Sequence, residues 1–250
     1  MNPTKQGIIV QARLGSSRYP YKVLERINNK SLLQILFSRL KKSNSISNIT
    51  FAIPDNKENF PLQQHIKEFG GEVFLGNEDD VMLRYFECAK KQNLDTIVRI
   101  TSDCPLIDYR EIDKFIEVYN TIDFDNLYLS NFTPPDNSSY CNGSDIEIFS
   151  KNMLEEAIIN FNNKKDREHV TFQFWDGRFS CRHLKMHWEG KEQINKIRIT
   201  VDYKEDIEVI KRLEDVIDLE KASLEEICQK YLELNLNLIN GNFDSKAGWI

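Results

Sequence analysis

Four short apolar runs govern what this chain can fold into: GIIV at 7–10, NITFAI at 48–53, EVFLG at 72–76 and TIVRI at 96–100. Their branched and aromatic residues are too continuous for half-exposed strands and read as strands buried on both faces. Segments of helical period lie between them. Ser31 is placed to cap a helix over 32–40, and a polar helix over 60–69 stops at Gly70-Gly71. Asp79-Asp80 opens a third helix that runs to about residue 92. Strand and helix alternating in this way predict βαβ units, right-handed crossovers and a mostly parallel sheet, an α/β fold. Sheets of that kind place ligands in the loops after the carboxyl ends of their strands.

The second half is less regular. Strands are expected over 126–130, 145–149 and 196–201, and helices over 108–119, 153–161, 165–175, 205–213 and 224–232. Residues 132–144 (FTPPDNSSYCNGS) form a turn-rich loop placed to act as a lid, and SCRHLKMHW at 180–188 alternates like a strand. No internal repeat or linker divides the chain. One domain over 1–240, with an excursion at 132–190 and a tail at 241–250, is therefore expected.

The formal net charge of −6 over 250 residues argues against non-specific nucleic-acid binding, which needs a basic footprint. No apolar stretch reaches the roughly 20 residues of a membrane helix, and no signal peptide is recognised at the start. The five cysteines are widely spaced and never form a Cys-x-x-Cys pair. That excludes a zinc knuckle and a disulfide framework and points to the reducing cytoplasm. Cys181, His183 and His187 lie on the alternating stretch, which suits solvent-facing histidines better than a metal site.

Chemistry concentrates after the first strand, in IIVQARLGSSRYPYKVL at 8–24. Arg13, Gly15, Ser16, Ser17, Arg18 and Lys22 supply backbone N–H groups and cations within ten residues, the set that wraps a phosphate chain. The loop is neither a P-loop nor a dinucleotide fingerprint, since the required glycine spacings are absent. Two further strands deliver an aspartate at their carboxyl ends, Asp103 in VRITSDCPLI and Asp202 in IRITVDYKED. Two such carboxylates can hold one Mg²⁺ and leave its remaining positions to phosphates and water. Taken alone, the loop also fits a solvated basic turn, and Asp103 also fits a cap of the helix that follows.

In combination these stretches resemble the cytidylyltransferases that activate sugar acids, of the acylneuraminate and 3-deoxy-manno-octulosonate type. The loop matches the pattern IIQAR-x-GS-x-R-x-P-x-K-x-L. EDDVMLRY at 78–85, RITSDCPLID at 99–108, DREHVT at 166–171 and VDYKED at 201–206 follow in order and are most similar to the spore-coat-polysaccharide (SpsF-like) branch. The resemblance spans about residues 7–215. It implies a Rossmann-like three-layer α/β/α sandwich, as in nucleotide-diphospho-sugar transferases, and transfer of CMP from CTP with Mg²⁺ as cofactor. The acceptor it implies is a sugar acid or a phosphorylated relative for surface polysaccharide, and the assembly a homodimer. It assigns the nucleotide to Gln11, Ala12, Arg13, Gly15, Ser16, Ser17, Arg18, Lys22, Asp80, Arg84, Arg99 and Thr101. It assigns the metal to Asp103 and Asp202, and catalysis to Arg13, Lys22 and Asp103. Asp145, Glu147, Arg167, Glu168 and His169 fall to the acceptor side, within the 132–190 excursion, which is also the expected dimerisation region. A sugar phosphate with another nucleoside triphosphate fits the same chemistry, and a non-catalytic nucleotide-binding subunit is the alternative of a different class. The chain departs from the pattern at Tyr21, Ser102 and Ser144 (glycine in the family), at Leu83 (aspartate) and at Tyr203-Lys204 (Thr-Pro).

Overall fold

The computed structural model describes residues 4–135 and 138–243. Strand β1 (Gln6–Gln11) is followed by a small hairpin, β2 (Arg26–Ile27) and β3 (Lys30–Ser31), that leads into α1 (Leu32–Leu40). Then come β4 (Ile49–Pro54), α2 (Phe60–Glu68), β5 (Glu72–Gly76), α3 (Val81–Lys91), β6 (Thr96–Thr101) and α4 (Tyr109–Thr121). The second half adds β7 (Leu127–Ser130), β8 (Glu147–Ser150), α5 (Lys151–Asn160), α6 (Lys164–His169), α7 (Phe172–Trp175) and β9 (Arg182–Lys185). It closes with α8 (Lys204–Glu214), α9 (Leu224–Glu233) and α10 (Asn237–Asn240).

The helix starts follow from their caps. Ser31 accepts from the Gln34 N–H at 3.1 Å while the Gln34 side chain accepts from the Ser31 N–H, a reciprocal capping box. Asp80 accepts from the Leu83 N–H at 2.9 Å, and Asp108 from the Arg110 N–H at 3.0 Å. At the end of α2, Gly70 takes φ +80°, where glycine is at no steric cost.

Seven strands form one sheet in the order β5-β4-β1-β6-β8-β7-β9. β5, β4, β1 and β6 run parallel, β8 is antiparallel to β6 and to β7, and β9 is parallel to β7. Alternation along the buried strands feeds two cores. Ile8 and Val10 join the side packed by α1, α2, α4, α8 and α9, whereas Ile9 and Ile97 join the side packed by α3 and α5. This is a Rossmann-like three-layer α/β/α sandwich. Fully burying one such side chain contributes about 1.5–3 kcal/mol, so the paired cores fix the register of every strand. From β1 the chain steps outward to β4 and β5, then returns to β6 on the other side of β1. The crevice at the carboxyl ends of β1 and β6 is thus the topological switch point.

Two expectations are corrected. Residues 196–201 are not a strand of the sheet: Lys196 is exposed in a turn, and 197–201 are a buried segment joined to its neighbours by an isolated bridge between Asn142 and Arg198. Their alternation serves a different end: Ile197, Ile199 and Val201 enter the core, while Arg198, Thr200 and Asp202 turn the other way. The helix expected over 165–175 is broken at Val170, which takes φ 69° and ψ −47° and is wholly buried. A tight turn, Thr171 N–H to His169 C=O at 2.8 Å, separates α6 from α7 there. The described part of the 132–144 loop is packed down, with Phe132, Tyr140 and Cys141 buried. Residues 136–137 and 244–250 lie outside the described residues, so the expected tail is described only to Phe243. All five cysteines are free. Among the described residues no helix is long and apolar enough to cross a membrane.

Candidate active site

A cleft of about 450 Å³ opens at the switch point. Its first wall is the loop after β1. Leu14 is buried and anchors this loop: its N–H donates to Asn59 Oδ1 at 2.9 Å, and its carbonyl accepts from Ser16 and Tyr21 at 2.9 and 3.0 Å. The loop therefore folds around Leu14 and turns Arg13, Ser16, Ser17, Arg18 and Lys22 toward the cleft, beside Gln11 and Ala12 from the strand end. Gly15 is not part of the cleft lining. Tyr21 stands outside it too, 56% exposed, with φ 62° in the left-handed region that favours glycine.

The floor is acidic. Lys22, only 8% exposed, donates to Val201 C=O at 2.6 Å and Asp202 Oδ1 at 2.9 Å, and its Nζ lies 3.6 Å from Asp103 Oδ2. One ammonium thus sits between the carboxylates of Asp103, just past β6, and Asp202, at the end of the buried segment before α8. Asp202 is also held by Arg18 at 2.8 Å and by Arg198 at 3.1 Å. Burial works against charge on Asp103, but Lys22 and hydrogen bonds from Thr101, the backbone and Cys104 outweigh it and keep the carboxyl below its usual range. The Cys104 thiol is pushed well up by burial and by Asp145 and Asp103, so it stays protonated and is no nucleophile. Asp145 has the opposite fate to Asp103. Burial and the neighbouring Asp103 and Glu147 raise it to about 8, against weaker help from the Gly143 N–H and Arg99. Gly143 allows this packing: at φ +104°, a Cβ there would lie 2.3 Å from the Thr200 nitrogen.

The remaining wall comes from α3, β6 and α6. Arg84, Arg99, Thr101, Glu168 and His169 line the cleft. Glu168 lies 4.0 Å from Arg13 across the opening. The His169 ring stacks on Phe172 with centroids 4.3 Å apart and planes 2° apart. Burial, opposed by Glu168 but aided by Arg99, Lys165 and Arg13, lowers its pKa and leaves the imidazole neutral at pH 7. Burial likewise lowers the pKa of Arg84, whose Nη1 donates to the carbonyls of Asn77 and Glu78.

Not every residue singled out in the sequence reaches the cleft. Glu147 lies beneath it, cross-strand from Arg99, pairing with that guanidinium and accepting from Tyr128 Oη at 2.8 Å. Arg99 also donates to Gln11 Oε1 at 3.0 Å, so the pair steadies a cleft residue from below. Asp80 and Arg167 bond to each other at 3.0 Å and tie α6 to the start of α3 behind the wall. Conversely, Val81, Asn142 and Thr200 line the cleft without having been singled out, and Ser102, noted in the sequence only as a departure from the pattern, lines it as well. Arg198 and Asp206 support it from within. Arg198 sits on the polar side of IRITVD, but only its tertiary pairing with Asp206 reveals its place. Among the described residues no group of three or more His, Cys, Asp or Glu side chains is arranged to hold a metal.

The geometry has clear relatives. The family model described as Cytidylyltransferase matches residues 7–237. An uncharacterized protein of Methanocaldococcus jannaschii is 32% identical over 245 residues, 96% of each chain. The spore coat polysaccharide biosynthesis protein SpsF of Bacillus subtilis is 29% identical over 210 residues, covering 82% of this chain and 84% of that one. Among solved structures, a cytidylyltransferase from Leptospira borgpetersenii superposes with a TM-score of 0.89 at 26% identity, covering 96% of this chain and 99% of that one.

Proposed function

The chain belongs to the cytidylyltransferase family and is a nucleotidyltransferase, and we propose that it transfers CMP from CTP to a sugar acid or related acceptor, releasing pyrophosphate, for surface polysaccharide synthesis. The observation that carries this reading is Lys22 between Asp103 and Asp202 at the switch point. The donor set suits a divalent cation, because two hard carboxylate oxygens already face one positive charge. Asp103 and Asp202 would hold Mg²⁺, which when bound neutralises charge on the phosphates during transfer.

The chain's own residues do the rest. Arg13, Ser16, Ser17, Arg18 and Lys22 bind the triphosphate, with Arg13 and Lys22 neutralising the β- and γ-phosphates that depart. Gln11, Arg84, Arg99 and Thr101 face the nucleoside side, and Arg99 is pinned for that by Glu147. Asp145, Glu168 and His169 stand where the acceptor enters. The acceptor's hydroxyl oxygen gives up its proton to water and attacks the α-phosphorus in line, the bond to the α–β bridging oxygen breaks, and pyrophosphate leaves with that oxygen. Catalysis of this kind is mainly positioning and charge stabilisation. Its test is pyrophosphate release from CTP, UTP, GTP and ATP, each with Mg²⁺ and a panel of sugar acids and sugar phosphates. Release is expected with CTP and a sugar acid. Release confined to another nucleotide with a sugar phosphate would move the chain to sugar-phosphate activation, and tight nucleotide binding with no release would make it a binding subunit.

A further inference from the structure

The three cations on Asp202 are not equivalent. Arg18 and Lys22 come from the loop after β1 and share one oxygen, Oδ1. Arg198 takes the other, Oδ2. Its side chain is 6% exposed and does not line the cleft. It is itself clamped, donating from Nε and Nη2 to the two oxygens of Asp206 at 2.9 and 3.0 Å. Asp206 is wholly enclosed and also accepts from the Asp202 N–H at 2.8 Å, the Tyr203 N–H at 2.9 Å and Asn240 Nδ2 at 2.8 Å. Asn240 reaches the Arg198 carbonyl at 3.1 Å and is fixed by Tyr231 Oη at 2.7 Å. The clamp thus runs from α8, α9 and α10 to a single carboxylate oxygen.

A buried ion pair of this kind brings little net stability, because removing both charges from water costs about as much as their attraction returns. What it does bring is orientation. Arg18 and Lys22 are cations that a triphosphate in the cleft would attract away from Oδ1. Arg198 has no such alternative partner, since Asp206 holds it from behind.

We propose that Arg198 is a positioning residue: clamped by Asp206, it keeps Oδ2 of Asp202 inside the protein and presents only Oδ1 to the cleft, limiting Asp202 to one-oxygen coordination of a divalent cation. This rests on reading Asp103 and Asp202 as the metal-holding pair. One-oxygen coordination suits Mg²⁺, which demands near-octahedral geometry and which Mn²⁺ replaces at octahedral oxygen sites, whereas Ca²⁺ accepts both oxygens of a carboxylate. The clamp is then a selectivity device against the larger ion.

The test is calorimetric binding of Mn²⁺ and of Ca²⁺ to the full chain saturated with the α,β-methylene analogue of CTP, with thermal unfolding as the control for folding. Arg198→Lys keeps the charge but cannot bridge Asp202 and Asp206. It is expected to weaken Mn²⁺ about 10- to 100-fold while weakening Ca²⁺ less, so the Ca²⁺/Mn²⁺ affinity ratio rises about tenfold. Asp206→Asn, which frees Arg198 from behind, should move the ratio the same way and carries the test if Arg198→Lys does not fold. An unchanged ratio in folded variants, or an equal loss for both ions, overturns the proposal and leaves Arg198 a structural residue. Failure of the wild-type complex to bind either ion overturns the assignment of the metal pair, and the proposal with it.

Discussion

Asp145 and Asp103 are carboxylates of one cleft driven in opposite directions. Lys22 reaches Asp103, whereas Asp145 meets burial and two negative neighbours and titrates at about 8. An aspartate in an unfolded chain titrates near 4, at about 3.9. Between those values the folded protein holds a proton that the unfolded chain has released. Stability therefore falls as pH rises from about 4 through about 8. Asp145→Asn removes this dependence, so the variant should gain in thermal midpoint relative to wild type at pH 9 compared with pH 6. The same difference at both pH values would contradict the assignment. Tyr21 stands where the resembled family has glycine next to Lys22, yet its side chain is largely in solvent, outside the cleft. What the substitution does bring is a left-handed conformation that costs a non-glycine residue about 1–2 kcal/mol.

At the scale of elements, α3 begins where Asp80 caps it and where Arg167 pins α6 against that cap. Asp80→Ala removes both contacts and should cost about 1–2 kcal/mol in chemical unfolding, with nucleotide affinity unchanged. A large loss of affinity at unchanged stability would instead place Asp80 against the nucleotide. The βαβ half of the fold was legible because strands buried on both faces and capped helices are local signals: Ile8, Ile9 and Val10 announce a central strand, and Ser31 with Gln34 announces α1. Most of the second half was legible too, since the strands expected at 126–130 and 145–149 and the helices expected at 108–119, 153–161, 205–213 and 224–232 correspond to β7, β8, α4, α5, α8 and α9; two segments were not. The alternation at 196–201 is the period of a strand, but it arises from a segment with core on one side and cleft on the other. Val170 breaks a helix that its neighbours favour, through a backbone conformation no β-branched residue advertises. In the site, residues carried by strand ends and the first loop could be placed from sequence. Glu147, Asp80 and Arg167 could not be separated from cleft residues, since what removes them is pairing with side chains 48, 87 and 87 positions away.

For the molecule as a whole, a net charge of −6 surrounds a cleft that is locally cationic. Arg13, Arg18, Lys22, Arg84 and Arg99 face Asp103, Asp145, Glu168 and Asp202, and Asp145 is mainly protonated at neutral pH. An anionic nucleotide is thus attracted to the cleft where strand order reverses, despite the acidic balance of the chain. In the proposed function the loop after β1, Asp103 and Asp202 act as one nucleotidyl-transfer site. Its most direct measurement is the rate of pyrophosphate release from CTP with a sugar acid and Mg²⁺, in wild type, Lys22→Ala and Asp103→Ala. The expected result is a loss of about 10²- to 10³-fold or more in each variant with the fold retained. Wild-type rates in either variant would contradict it.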